Sequence, residues 1–263
     1  MKMLDMDKYR SLYSLDGKVA LVAGGAGGIG GAISEGLASF GGTVVVCGRT
    51  GSKTKALAQE INNAGGKAWG AEIDTTDVAM VKAFIPEMAE KFGTIDVLVN
   101  CVGGHVDAPA EDYLEEDWDS VFEINVKAAF FLSQAVANVQ IPKGGGKHIH
   151  ISSVRSQLGI HRGYSAYCSS KAAMNLMIKQ LATEWAKHQI KVNGIAPTFT
   201  RTELVKQYLE DPDFYNPLVA RIPLGRVAET IDIAGMAIYL AAPASDFITG
   251  QIIFADGGVT ACQ

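Results

Sequence analysis

The segment VAGGAGGIGGAI, residues 22–33, constrains this chain more than any other, because six of the 29 glycines fall between Gly24 and Gly31. An apolar β-branched run at 18–23 precedes it and an amphipathic helical pattern at 29–40 follows it. The glycines therefore sit at a strand-to-helix turn, the one context in which such a run is informative. Two frames fit: Gly25, Gly27 and Gly30 read as GxGxxG, while Gly24, Gly28 and Gly30 read as GxxxGxG. In either frame no Cβ stands between a pyrophosphate and the backbone N–H groups at a helix N-terminus. The plainer alternative is a tight turn that binds nothing.

The rest of the chain repeats the strand–helix theme. Runs at 18–23, 43–47, 67–73, 95–100, 147–151, 190–195 and 251–254 read as strands, several of them nearly continuous in apolar residues. Such strands are buried on both faces, as in a parallel sheet. Helical patterns at 29–40, 53–64, 78–92, 113–139, 164–188 and 231–241 lie between them, with Asp77 placed as an N-cap. Alternation of this kind predicts right-handed βαβ units in one doubly wound α/β sheet, a Rossmann fold with helices on both faces. With 48% hydrophobic and 19% charged residues over 263 positions, the chain is too apolar to be disordered and long enough for a core without disulfides or structural metal.

Composition also excludes partners. A net charge of −5 supplies no global basic surface for nucleic acid. No apolar run reaches membrane-spanning length, and the first twenty residues carry no signal-peptide core. Cys47, Cys101, Cys168 and Cys262 lack CxxC spacing, which fits reduced thiols in a cytoplasmic protein. His148 and His150 share a strand with no third ligand in sight, so no metal site is expected. Cys168 reads as packing, and Trp118, Trp185, Met174 and Met177 read as helix core.

Two further positions point to chemistry. A dinucleotide site for NAD carries an acidic residue at the end of the second strand, bonded to the adenosine ribose. Here that strand ends Cys47-Gly48-Arg49-Thr50, with no carboxylate. Arg49, helped by Thr50, Ser52 or Lys53, can pair instead with a 2′-phosphate, so NADP(H) is preferred and NAD(H) stays possible. Farther on, Tyr167 and Lys171 stand four apart near the start of a helical pattern, on one helix face. A nearby cation lowers a phenol's pKa, and a phenol tuned this way exchanges a proton with a carbonyl oxygen. Ser152 and Ser153 end the preceding strand, at the edge where an open α/β sheet holds its ligands.

Taken in order, these motifs resemble the short-chain dehydrogenase/reductase family, single-domain branch, from about residue 15 to 258. The family's TGxxxGxG corresponds to Ala23-Gly24 through Gly28-Ile29-Gly30, its adenine-ring aspartate to Asp74, and its NNAG to Asn100-Cys101-Val102-Gly103. Its helix asparagine corresponds to Asn125, its serine to Ser153, its YxxxK to Tyr167 and Lys171, and its PGxxxT to Pro197 through Thr202. The C-terminal GQxxxxDGG corresponds to Gly250-Gln251 through Asp256-Gly257-Gly258.

The resemblance implies an NAD(P)(H)-dependent enzyme of alcohols and ketones in one domain, 1–263, with 1–14 as an N-terminal extension and 198–227 as a substrate-binding loop with small helices. It makes Tyr167 the general acid/base and sets Ser153 on the substrate oxygen. Lys171 would hold the nicotinamide ribose and depress the tyrosine pKa, and Asn125 would link a water-mediated proton relay. Gly24, Gly28, Ile29, Gly30, Arg49, Thr50, Asp74, Asn100, Gly103, Tyr167, Lys171, Pro197, Thr200 and Thr202 would line the cofactor. The chain departs from the pattern at Ala23 (usually threonine), at Cys101 and Val102, at Thr198 (usually glycine), and at Gly27, where many NADP-dependent members carry a basic residue.

Segments 103–109, 155–164 and 198–217 would meet the substrate. They offer a polar, partly cationic set: His105, Arg155, Gln157, His161, Arg162, Tyr164, Arg201 and Tyr215. Of these, His105, Arg155 and Tyr164 join Ser153 and Tyr167 as the substrate-contact expectation, with Arg155 clamping a carboxylate or phosphate. SSVRSQLG, QIKVNGIAP, RIPLGR and the DPDFYNPL insert are similar to gluconate 5-dehydrogenase-like members, which implies a polyol, sugar acid or related hydroxy/keto compound. The arginine pair that gluconate enzymes often carry after NNAG is replaced here by Gly104-His105-Val106-Asp107. Two alternatives stand beside this reading: a 3-oxoacyl-acyl-carrier-protein reductase and a non-catalytic dinucleotide-binding regulatory protein. By the same resemblance, the helices at 113–139 and 164–188 and the C-terminal segment would build a homotetramer.

Overall fold

The structure, a computed structural model, describes residues 6–262. Residues 1–5 of the expected 1–14 extension lie outside the described residues; the rest forms a short helix, α1 (Asp7–Arg10), and a 3-10 turn at Ser11–Tyr13. Seven strands follow: β1 (Val19–Ala23), β2 (Thr43–Gly48), β3 (Lys67–Glu72), β4 (Val97–Asn100), β5 (Gly146–Ile151), β6 (Ile190–Pro197) and β7 (Ile252–Ala255). They form one all-parallel sheet in the order β3-β2-β1-β4-β5-β6-β7. The order reverses between β1 and β4, which opens a crevice beyond their carboxyl ends.

Alternate residues of β1 feed the two faces, as the two-residue strand period requires. Ala20 and Val22 pack with Ile33 and Leu37 of α2 (Gly28–Ser39) and with Ile61 of α3 (Gly51–Asn63). Val19, Leu21 and Ala23 pack with Val81, Ile85 and Met88 of α4 (Val78–Phe92). Asp77 caps α4 by accepting the Ala79 and Met80 N–H groups, each at 2.9 Å. The remaining helices are α5 (Glu115–Phe122), α6 (Ala128–Gln140), α7 (Ser165–Trp185), α8 (Lys206–Leu209), α9 (Pro212–Val219) and α10 (Thr230–Ala241). No described helix is long and apolar enough to cross a membrane.

The structure corrects two sequence expectations. The pattern at 113–139 is not one α-helix: α5 and α6 are joined by a π-helical stretch, Glu123–Lys127. An inserted π turn costs helical regularity and re-aims a side chain, here the fully buried Asn125. Trp118 is not core either. It is 38% exposed and stacks on Phe122 at 5.1 Å, because Val121 is the one residue of α5 that is buried.

His148 and His150 are buried and bonded within the core. His148 Nε2 donates to Gln140 Oε1 at 3.0 Å, since the Gln140 amide nitrogen already donates to the Ile95 and Asp96 carbonyls. Ser133 gives its one proton to the Ala129 carbonyl, so its oxygen accepts from His150 Nε2 at 3.2 Å. Burial, and then the charge of Lys171, pulls the His150 pKa down to about 4, so the ring is neutral at neutral pH. Among the described residues no group of three His, Cys, Asp or Glu converges on a metal-sized space, and all four thiols are free.

Candidate active site

The glycine turn decides between its two frames. Gly24 has φ +71°, and a Cβ there would stand 3.2 Å from the Cys101 carbonyl carbon. A Cβ on Gly28 would stand 2.5 Å from Thr202 Cγ2, and one on Gly30 would enter the Gly24 carbonyl. Gly27 is less confined, with only the Gly24 oxygen at 3.3 Å. Gly25 is confined as well, since a Cβ there would stand 2.6 Å from the Val22 carbonyl oxygen, so the frames part at Gly28 against Gly27, in favour of GxxxGxG. Gly27 caps α2 without a side-chain acceptor, leaving first-turn N–H groups open to a crevice lined by Gly24, Gly28, Ile29 and Thr202. A bare helix N-terminus in a cradle that a methyl group would fill suits a pyrophosphate.

The crevice continues past Gly48, Arg49, Thr50 and Asp74 toward Cys101, Val102 and Gly103. Arg49 is exposed and makes no ion pair among the described residues. Asp74 Oδ1 accepts from the Thr76 N–H at 3.0 Å and the Thr76 hydroxyl at 2.8 Å, which holds the carboxyl below the usual range, with Arg49 adding to the effect. Asn100, at the end of β4, accepts the Val102 N–H at 3.1 Å and lies 3.5 Å from His150 Nδ1. On the far side, Pro197 ends β6, and the Thr200 hydroxyl donates to the Thr198 carbonyl at 3.1 Å.

Asn125 and Lys171 meet at Gly103. A Cβ there would stand 3.0 Å from Asn125 Oδ1 and 3.3 Å from Lys171 Nζ. Asn125 exchanges two hydrogen bonds with the Gly104 backbone, at 3.0 and 2.8 Å, and donates to Ser170 Oγ at 3.0 Å. Lys171 Nζ donates to the Ile151 carbonyl at 2.9 Å; burial pulls this ammonium down to about 8. It lies 5.8 Å from the Tyr167 ring centroid. Sequence reasoning has Lys171 depress the Tyr167 pKa. The structure differs: lost hydration pushes the phenol above its ordinary value, and the group that chiefly opposes the shift is the Ser153 hydroxyl.

Ser153, two residues past the end of β5, also accepts the Arg155 N–H at 3.1 Å. His105 packs edge-on to Tyr164 at 5.1 Å and to Tyr167 at 5.8 Å, and the two tyrosine rings lie 5.8 Å apart. Arg155 Nη1 donates to the Gly159 carbonyl at 2.9 Å. Arg162 pairs with Asp107 at 3.1 Å and lies over the rings of Tyr164, Tyr208 and Phe214. Others of the polar set stand apart: Arg201 pairs with Glu229, Tyr215 packs inside the α8–α9 cluster, and Gln157 and His161 are exposed. Sequence reasoning missed Ser170, which fixes Asn125, and Asn175, which accepts the Ser152 hydroxyl at 2.6 Å. Nothing in their spacing marks either.

The dehydrogenase family described as enoyl-(acyl carrier protein) reductase matches residues 24–260. A gluconate 5-dehydrogenase of Gluconobacter oxydans is 37% identical over 249 residues, covering 95% of this chain and 97% of that protein. A D-threitol dehydrogenase of Mycolicibacterium smegmatis is 37% identical over 248 residues, covering 94% and 95%. A crystal structure of a gluconate 5-dehydrogenase from Burkholderia cenocepacia, in complex with NADP and tartrate, is 36% identical, superposes with a TM-score of 0.92, and covers 96% of this chain and 99% of that one. With crevice, motifs and near-complete coverage in agreement, the chain belongs to the short-chain dehydrogenase/reductase family.

Proposed function

We propose that the chain is an NADP(H)-preferring oxidoreductase that interconverts a secondary alcohol and a ketone on a small polar substrate, a polyol, sugar acid or related hydroxy/keto compound. The observation that carries this reading is the convergence of Tyr167, Lys171, Ser153 and Asn125 on one edge of the crevice, beside the turn that suits a pyrophosphate. Relatives named for gluconate and threitol, and one bound to NADP and tartrate, support the cofactor and substrate class. They favour it over a 3-oxoacyl-carrier reductase. A pure nucleotide binder has no need of the phenol–lysine–serine group.

Gly24, Gly28, Ile29, Gly30 and Thr202 would hold the pyrophosphate, Asp74 the adenine, and Arg49 with Thr50 the 2′-phosphate. Asn100, Gly103, Pro197 and Thr200 would border the nicotinamide half, with Lys171 on its ribose. When bound, the nicotinamide supplies or accepts a hydride at the substrate carbon. The chain's own work is proton handling. A raised Tyr167 pKa keeps the phenol protonated at neutral pH, ready to donate to a ketone oxygen as negative charge develops there. Ser153 would donate a hydrogen bond to the same oxygen. The Asn125 side chain is committed to Gly104 and Ser170, so any relay through this residue would use its main chain in the π-helical stretch. His105, Arg155 and Tyr164 would line the substrate side.

The same reading places the enzyme in the cytoplasm, in keeping with four free thiols, and assembles it as a homotetramer. Leu114, Trp118 and Leu176, all exposed apolar side chains on or beside α5 and α7, are the surface offered for that contact. Light scattering at the tetramer mass supports the assembly, and a monomer mass contradicts it.

Two variants test the chemistry. Tyr167→Phe removes the proton donor and is expected to lower turnover by about 10²–10⁴-fold while NADPH still binds. Unchanged turnover would overturn the assignment. Arg49→Ala is expected to lower the kcat/KM preference for NADPH over NADH by about tenfold, the effect of one lost charge-assisted pair. A wild-type enzyme indifferent to the two cofactors, or a variant with an unaltered preference, contradicts the 2′-phosphate role.

A further inference from the structure

Residues 203–222, which carry α8 and α9, form a flap with its own small core. The root of the flap is pinned. The Arg201 N–H donates to the Ala228 carbonyl at 2.8 Å, the Ala228 N–H to the Phe199 carbonyl at 3.1 Å, and the Leu224 N–H to the Gly257 carbonyl at 3.1 Å. Beyond those pairings α8 and α9 fold around Leu209, Leu218, Ile222 and Val227, a cluster separate from the three that cover the sheet. Among the described residues, the hydrogen bonds and ion pairs of 203–222 all stay within 202–225.

The flap meets the substrate-side loops at one cation. The Arg162 guanidinium lies 5.8 Å from the Tyr208 ring of α8 and 5.8 Å from the Phe214 ring of α9, and those two rings are 5.6 Å apart. It also lies 5.5 Å from the Tyr164 ring, in the loop after β5, and pairs with Asp107, in the loop after β4, at 3.1 Å. The two loops are locked to each other. Asp107 Oδ1 accepts the Gly163 N–H at 3.1 Å, the Ala108 N–H donates to the Gly163 carbonyl at 3.1 Å, and a Cβ on Gly163 would run into the Ala108 backbone. The Arg162 side chain is 30% exposed, and a cation partly dried among three rings is held more firmly than one on an open surface. Tyr164 in turn lies 5.8 Å from the Tyr167 ring and 5.1 Å from His105, so this contact stands one ring away from the Tyr167 phenol.

Resting on the function proposed above, we infer that Arg162 is a positioning residue: with Asp107 it latches the α8–α9 flap at the substrate end of the crevice, so that a ketone meets a closed pocket beside Tyr167. Arg162 acts through Tyr208 and Phe214 and not on the substrate itself. A ligand that needs the closed flap binds in proportion to the closed fraction. Loss of the latch therefore raises KM for the ketone and spares the hydride and proton steps, which Arg162 does not touch.

The test follows hydrogen exchange of the 203–222 amides in the NADPH-loaded enzyme, alongside NADPH-dependent reduction of 5-keto-D-gluconate and D-fructose. Arg162→Met keeps an unbranched side chain against the rings and removes the charge. Asp107→Asn removes the ion pair and keeps an oxygen for the Gly163 N–H. Arg162→Met is expected to speed exchange across 203–222 by about tenfold without altering the sheet, and to raise KM for the ketone by about tenfold with kcat changed less than about twofold. Asp107→Asn moves exchange and KM in the same direction, and the double variant is no more affected than Arg162→Met alone. A raised KM without faster exchange would make Arg162 a substrate contact, and faster exchange with an unaltered KM would make it a structural tie; either result, or no change in both, overturns the latch. A wild type that reduces neither ketone overturns the underlying function instead, and exchange in the two variants then still decides whether Arg162 holds the flap.

Discussion

One buried ammonium organises the crevice. Lys171 Nζ donates to the last carbonyl of β5, borders Gly103 after β4, and lies beside the Asn125 amide at the π turn. Burying a cation is costly unless hydrogen bonds offset the lost hydration, and the fall of its pKa to about 8 records that cost. The surroundings bear its imprint. A Cβ on Gly103 would crowd both Asn125 and Lys171, and the nearby imidazole of His150 is kept neutral in part by the charge. The π-helical stretch carries Asn125 to the same place at the expense of a regular helix. Local rules are broken here together, as happens where a site is built for chemistry.

That cation does not make Tyr167 acidic. Burial dominates the phenol and keeps it protonated, while Ser153 partly offsets the shift. In the function proposed above, this makes Tyr167 the proton donor for ketone reduction, and the reverse direction would first have to ionise it. In the same proposal Lys171 would act by holding the ribose and by its charge near the developing phenolate.

Much of this was legible in the sequence because backbone-driven features leave residue signatures. A strand followed by six glycines between Gly24 and Gly31 forces a turn that β1 and α2 build as read, and seven apolar runs gave seven parallel strands with boundaries shifted by a residue or two. Asp77 announced its cap. What stayed hidden depends on packing. The π turn at 123–127 has the same periodic pattern as the helices it joins, and Trp118 looks like core until α5 is seen to bury only Val121. The direction of the Tyr167 shift depends on burial, which an i, i+4 spacing does not report.

The pH dependence of NADPH-driven ketone reduction, followed as kcat/KM from about pH 6 to 10, tests the central claim most directly. The account predicts a plateau at low pH, with the phenol and the ammonium both protonated, and a decline as pH rises through about 8, where Lys171 loses its charge. In Lys171→Arg that inflection moves to higher pH, because a guanidinium stays charged across the range. A profile flat through pH 10, or one that rises with pH, would contradict a neutral Tyr167 donor working beside a charged Lys171.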